Sequence, residues 1–90
     1  NVAYLTGAGA SQEQRDSFVA IAKSVPGVNA VHHLMTEYVG PQLVLDMHIN
    51  VDGNITLNQS HAIADQVIES LEALADVDRA YIHVEPDGWL

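Results

Sequence analysis

The segment from Leu43 to Asp65, LVLDMHINVDGNITLNQSHAIAD, decides the fold that the rest of the chain must fit. Over its first nine residues apolar side chains occupy every second position, and the positions between them hold Val44, Asp46, His48 and Asn50. Alternation with a period of two predicts a β-strand with one face on a hydrophobic core. Asp46 and His48 are therefore expected on the face that does not enter the core.

A helix is predicted directly after this strand. The turn Asp52-Gly53-Asn54 ends the strand, and Thr56 with Gln59 three residues later has the pattern of a capping box. The apolar positions then recur at helical spacing, which predicts a helix from Leu57 to about Ala75.

The flanking sequence supplies one more helix and two more strands. Ser11 and Gln14 form a second capping-box pattern, and the helix that follows is expected to end near Ser24, before Pro26-Gly27. A strand from 28 to 39 reaches the turn Gly40-Pro41, which predicts an antiparallel hairpin with the strand at 43. Alternation from 79 to 85 predicts the last strand.

The order helix, strand, strand, helix, strand predicts an α+β fold, a ferredoxin-like αββαβ two-layer sandwich with one sheet face left open. We interpret residues 1–10 as an irregular lead-in, a junction to a missing part, and residues 11–90 as one domain. No apolar run approaches the roughly 20 residues of a membrane span.

The composition excludes some classes of function. Three Lys and Arg face twelve Asp and Glu, a formal charge of −9 over 90 residues, which argues against nucleic acid as a partner and favours cations. The chain has no cysteine, so disulfides and thiolate metal sites are excluded. Acidity that serves only solubility is the simpler alternative.

Five histidines carry the functional prediction. His48 and His83 are expected on the open sides of their strands, His83 with Glu85 beside it, and His61 lies off the apolar stripe of its helix. Adjacent residues of a regular strand point to opposite faces, so one of His32 and His33 is expected to share the open face. Imidazoles with carboxylates suit Zn²⁺, Mn²⁺, Fe²⁺, Co²⁺ or Ni²⁺. Solvated histidines are the alternative, because no compact metal motif is present.

The segments PGVNAVHHLMTE, LDMHINVD, TLNQSHAIADQV and YIHVEP resemble, in order and spacing, the cytoplasmic C-terminal domain of cation diffusion facilitator transporters. The resemblance implies a metallochaperone-like domain of an integral membrane protein that exports divalent metal. It implies a homodimer, a transmembrane domain as partner, and regulation by bound metal, with zinc first and manganese or iron as alternatives. The metal ligands it implies are His32, His48, His61, His83 and Glu85, and in some relatives also Asp46.

The chain departs from the family pattern at several positions. Met35 and Glu37 stand where arginines are usual, His33 where Asp is usual, and Glu85 where the family has Asp. The sequence leaves open the identity of the metal, and also whether the site lies within one protomer or across the dimer.

Two other classes of function compete with a metal sensor. A metal-independent dimerisation or interaction module would keep its partner without the histidines, with Trp89-Leu90 as its candidate contact. A hydrolytic metalloenzyme would use Glu85 or Asp46 as a base. So short a chain offers little room for a substrate pocket, and we expect no enzyme.

Overall fold

The computed structural model describes residues 9–88. They form the helix α1 (Gln12–Lys23), the strands β1 (Ala30–Val39) and β2 (Gln42–Val51), the helix α2 (Leu57–Glu72) and the strand β3 (Val77–Pro86). The predicted αββαβ sandwich is confirmed. Residues 1–8 of the predicted lead-in, and Trp89-Leu90, lie outside the described residues.

The three strands form one sheet in the order β1-β2-β3. β1 pairs with β2 in antiparallel fashion, as the predicted hairpin requires, and β3 lies parallel to β2 on its other side. β2 is therefore the central strand, and its residues from Leu43 to Asn50 have a neighbour on both flanks.

The core lies between the two helices and one face of the sheet. Every second residue of β2 is fully or almost fully buried there, as the alternation predicts, and α1 and α2 cover it with Phe18, Ala22, Val67 and Leu71. Burying one such aliphatic side chain stabilises a fold by about 1.5–3 kcal/mol. Two polar contacts fix the helices: Arg15 Nη2 donates to Leu34 O at 2.7 Å, and Ala80 N–H donates to Glu72 Oε2 at 3.0 Å.

Both capping boxes are present. The Ser11 and Thr56 hydroxyls accept from the backbone N–H of Gln14 and Gln59, and those glutamine side chains accept from the backbone N–H of the cap residues. These reciprocal bonds satisfy N–H groups that a helix start leaves unpaired.

Three ends of elements differ from the predicted ones by two or three residues. β1 begins at Ala30 rather than at 28. α2 ends at Glu72 rather than near Ala75, because Leu74 N–H bonds back to Leu71 O in a tighter turn. β3 begins at Val77 rather than at 79, since that residue already pairs with Leu43 on β2.

Candidate metal centre

The open face of the sheet carries a row of imidazoles. His48 is in the middle of β2, and the strand register places His33 of β1 on one side of it and His83 of β3 on the other. The ring centroids are 4.4 Å apart for His33 and His48, and 4.6 Å apart for His48 and His83. Two carboxylates flank this row. Asp46 lies two residues before His48 on β2, and Glu85 lies two residues after His83 on β3.

A β-bulge adds a fourth imidazole to the same face. The ladder between β1 and β2 shifts by one residue between Val31 and His33, so that His32 and His33 together oppose His48. The His32 ring lies edge-on to His48 with centroids 5.3 Å apart. The prediction that His32 and His33 point to opposite faces is therefore wrong, because strict alternation holds only in a regular ladder and a bulge interrupts it.

Asn50 fixes the orientation of His32. Asn50 Nδ2 donates to Pro86 O at 3.1 Å, so its Oδ1, which is 2.7 Å from His32 Nδ1, is the acceptor in the second contact. Nδ1 of His32 therefore carries a proton. In the neutral ring the lone pair is then on Nε2, and Nε2 lies 2.8 Å from Glu85 Oε1.

Three polar atoms of this face are buried without a hydrogen-bond partner: His32 Nε2, Asp46 Oδ1 and Glu85 Oε1. Each faces an imidazole nitrogen or a carboxylate oxygen of the cluster. A buried acceptor left unpaired costs about 1–3 kcal/mol, so these three atoms make the face costly unless cations bind to it.

The remaining distances between carboxylate oxygens and imidazole nitrogens are longer than hydrogen bonds and closer to the spacing of two ligands on one ion. Glu85 Oε1 lies 3.6 Å from His48 Nδ1, and Asp46 Oδ1 lies 3.9 Å from His48 Nε2 and 3.6 Å from His83 Nε2. Hydrogen bonds of this type span about 2.7–3.2 Å. Two ligands about 2.1 Å from a tetrahedral zinc ion are about 3.4 Å apart.

The described residues contain two groups that could hold a metal ion, with ligand atoms within 4.8 Å of one another. We call His32, His48 and Glu85 the inner group, and His33, Asp46 and His48 the outer group. His83 adjoins both through its contacts with His48 and Asp46.

His61 is not brought to this face. It lies on α2, in the layer that packs against the opposite side of the sheet, with 76% of its side chain exposed and its Nε2 3.4 Å from Asp65 Oδ2. It is off the core, as the helical wheel predicts. Within one protomer it is separated from the other five predicted ligands by the thickness of the sheet.

Two features of the site were not predicted from the sequence: the positioning role of Asn50 and the place of His33. Asn50 is only 5% exposed, although it belongs to the polar face of β2. A polar residue next to His48 in the alternation was a usable signal for Asn50. No signal of that kind exists for the bulge, since the sequence around His33 has no glycine to mark it.

The two-layer αββαβ fold and the histidine-carboxylate face together define a metallochaperone-like domain. A family model described as cation efflux protein, cytoplasmic domain (ZT_dimer) matches residues 10–87. The chain therefore belongs to the cation diffusion facilitator family, in which it corresponds to the cytoplasmic domain.

Curated relatives are longer transport proteins. The chain is 35% identical over 85 residues to an uncharacterized transporter, MJ0449, of Methanocaldococcus jannaschii, covering 94% of this chain and 30% of the relative. It is 32% identical over 74 residues to the cation-efflux pump FieF of Citrobacter koseri, covering 82% of this chain and 25% of the pump. The chain thus spans a third or less of the length of these relatives. Over residues 9–88, no helix is long and apolar enough to cross a membrane.

Solved structures of the MamM C-terminal domain share the fold. One variant superposes with a TM-score of 0.80 at 30% identity, covering 83% of this chain and 95% of that one. A nickel form of another variant has a TM-score of 0.78 at 28% identity, covering 84% and 98%. A cadmium form has a TM-score of 0.77 at 28% identity, covering 83% and 95%.

Proposed function

We propose that this domain is the metal-sensing regulatory part of a divalent-cation efflux transporter. In this proposal it binds metal on the open face of the sheet, and the bound metal controls how two copies close against each other. The transmembrane part of the transporter would carry the same class of ion as cargo.

The observation that carries the proposal is the set of three unpartnered acceptor atoms on the open face. A proton on His32 Nε2 would relieve only the contact with Glu85. It would leave Asp46 Oδ1, whose nearest imidazole nitrogens, at 3.6 and 3.9 Å, are too distant for hydrogen bonds. Divalent ions bound at the inner and the outer group would give each of these atoms a partner, which favours metal over protonation.

The ligand types favour zinc, with manganese or iron as alternatives. Imidazole nitrogens outnumber carboxylates on the face, and nitrogen-rich sites with one or two carboxylates suit Zn²⁺ and the later first-row metals. The nickel and cadmium forms of the MamM domain support a site that accepts such ions. His32 is already oriented by Asn50, and such support of the second ring nitrogen is usual for metal-binding histidines.

Charge supplies the link from metal to closure. Each chain has a formal charge of −9, so two copies repel each other in the absence of cations. Ions that bind more tightly to the closed pair shift the population toward it, and moving it from 1:99 to 99:1 takes roughly 5.5 kcal/mol of differential binding. His61, on the far layer, would join this face only from a second protomer.

Isothermal titration of the chelator-stripped domain with Zn²⁺, Mn²⁺ and anaerobic Fe²⁺, paired with small-angle scattering at each endpoint, tests the proposal. Saturable binding with compaction of a dimer is the expected result, and the affinities rank the metals. A domain that stays dimeric and gives no heat with any ion would instead be a metal-independent dimerisation module.

A further inference from the structure

We propose that His33, with Asp46 and His48, forms a second divalent-cation site that overlaps the inner group, and that the two sites compete for His48. The inference rests on the proposed metal-binding function and adds to it a residue that is not among the predicted ligands.

The bulge in β1 gives His33 its position. It puts His33 directly opposite His48 in the ladder, with the ring centroids 4.4 Å apart, while His32 reaches past them toward Glu85. One bulge thus separates two adjacent histidines into the two groups. A regular strand would have placed one of them on the core side.

Asp46 supplies the oxygen of this outer group. Its side chain is half-exposed, yet its Oδ1 is buried beneath the imidazoles and has no hydrogen-bond partner. His83 Nε2 lies 3.6 Å from the same oxygen, on the side of His48 away from His33.

The competition follows from the chemistry of His48. Its Nδ1 faces Glu85 Oε1 of the inner group, and its Nε2 faces Asp46 Oδ1 of the outer group. A neutral imidazole has one lone pair, and its other nitrogen carries the proton. An ion on Nδ1 leaves Nε2–H to donate toward Asp46, and an ion on Nε2 leaves Nδ1–H to donate toward Glu85. A single chain therefore uses His48 in only one of the two sites at a time.

This arrangement has a measurable consequence. With the inner site filled, a second ion must bind through His33 and Asp46 without His48, so its affinity is low. When the inner site is removed, His48 becomes available to the outer site. The outer site should then bind more tightly than the second step of the unaltered chain, by about tenfold or more.

The test is a Zn²⁺ titration of the chain and of its variants by calorimetry, with imidazole ¹⁵N NMR to identify the ligating nitrogens. The double variant His32→Ala with Glu85→Gln removes the inner site, and adding His33→Ala removes the outer site as well. Glu69→Gln, on the helix layer, and Val39→Ala, exposed at the other end of β1, are matched controls for the charge and the truncation.

We expect the double variant to bind one Zn²⁺ more tightly than the second step of the unaltered chain, and the triple variant to lose that binding. In the unaltered chain, the second equivalent should shift a ring nitrogen of His33. Binding by the unaltered chain with no binding by the double variant, or with His33 nitrogens unmoved through two equivalents, overturns the outer site alone. Absence of Zn²⁺ binding by the unaltered chain overturns the proposed function as well.

Discussion

The two faces of β2 are built from the same ten residues and do opposite things. On the core face, apolar side chains from Leu43 to Val51 are almost completely buried and contribute stability by leaving water. On the open face, Asp46, His48 and Asn50 put polar groups next to one another, and the Oδ1 of Asp46 is buried without a hydrogen-bond partner. The core face therefore stabilises the domain without any ligand, whereas the open face is costly until a cation binds.

The largest expected effect is the loss of stability when a buried side chain on the core face is truncated. Leu45→Ala should lower the free energy of unfolding by about 2–5 kcal/mol, because it removes buried methyl groups and leaves a cavity. Urea unfolding measures it. Val44→Ala, one residue away on the open face, is the control. Equal losses of unfolding free energy in the two variants would contradict the conclusion that the core face, and not the open face, stabilises the domain.

The next effect belongs to the centre of the open face. His48→Ala should weaken Zn²⁺ binding about 100-fold or more, because His48 is shared by both candidate groups. Mutating a residue that only hydrogen-bonds to a metal ligand typically lowers metal affinity 10–100-fold, and mutating a ligand itself should lower it at least as much. The free energy of unfolding of the metal-free variant should change far less than that of Leu45→Ala. Calorimetry and urea unfolding check the two halves of this prediction, and an unchanged affinity would remove His48 from the site.

Metal itself should stabilise the fold through the open face. At a free Zn²⁺ concentration of 100 times Kd, binding should add about 2.7 kcal/mol to the free energy of unfolding. For a domain of this size that corresponds to roughly 10–20 °C in Tm. Thermal unfolding with and without Zn²⁺ measures the shift. His48→Ala serves as the control, and a shift of the same size in that variant would place the metal elsewhere.

A smaller effect on Zn²⁺ affinity is expected from Asn50, which orients His32 on the open face. Asn50→Ala should weaken Zn²⁺ binding about 10–100-fold, because His32 Nδ1 and Pro86 O lose the amide that orients them. Asn29→Ala is the matched control, since the Asn29 side-chain amide donates to Asp87 Oδ2 at the surface. If both variants bind Zn²⁺ like the unaltered chain, Asn50 has no positioning role.

The smallest effect concerns the predicted ligand on the other layer. His61→Ala should leave Zn²⁺ binding unchanged at concentrations where the chain is monomeric, and should weaken it by less than about tenfold where it is dimeric. The reason is that His61 is separated from the open face by the sheet and can reach it only from a partner. Calorimetry at two protein concentrations measures both values. A loss in the monomer would require a metal site on α2 itself.

Much of the fold was predictable from local patterns. The alternation from Leu43 to Val51, the two capping boxes and the turn at Gly40 depend on neighbours within a few residues, so the sequence displays them directly. The ends of α2 and β3 were less accessible, because the last turn of the helix and the first strand pair depend on where the two elements meet. Most predicted ligands lie on one face for the same local reason, since alternation assigns Asp46, His48, His83 and Glu85 to it.

By itself, the sequence determined the order of the elements, which face of β2 enters the core, and that histidines and carboxylates would line the other face. Only the tertiary structure decided that His32 and His33 share that face, that Asn50 orients His32, and that His61 lies on the far side of the sheet. The physical reason is the distance along the chain over which the interactions act. Periodicity is set by the backbone geometry of one segment, whereas a bulge, a buried amide and the layer of a helix follow from how separate segments pack.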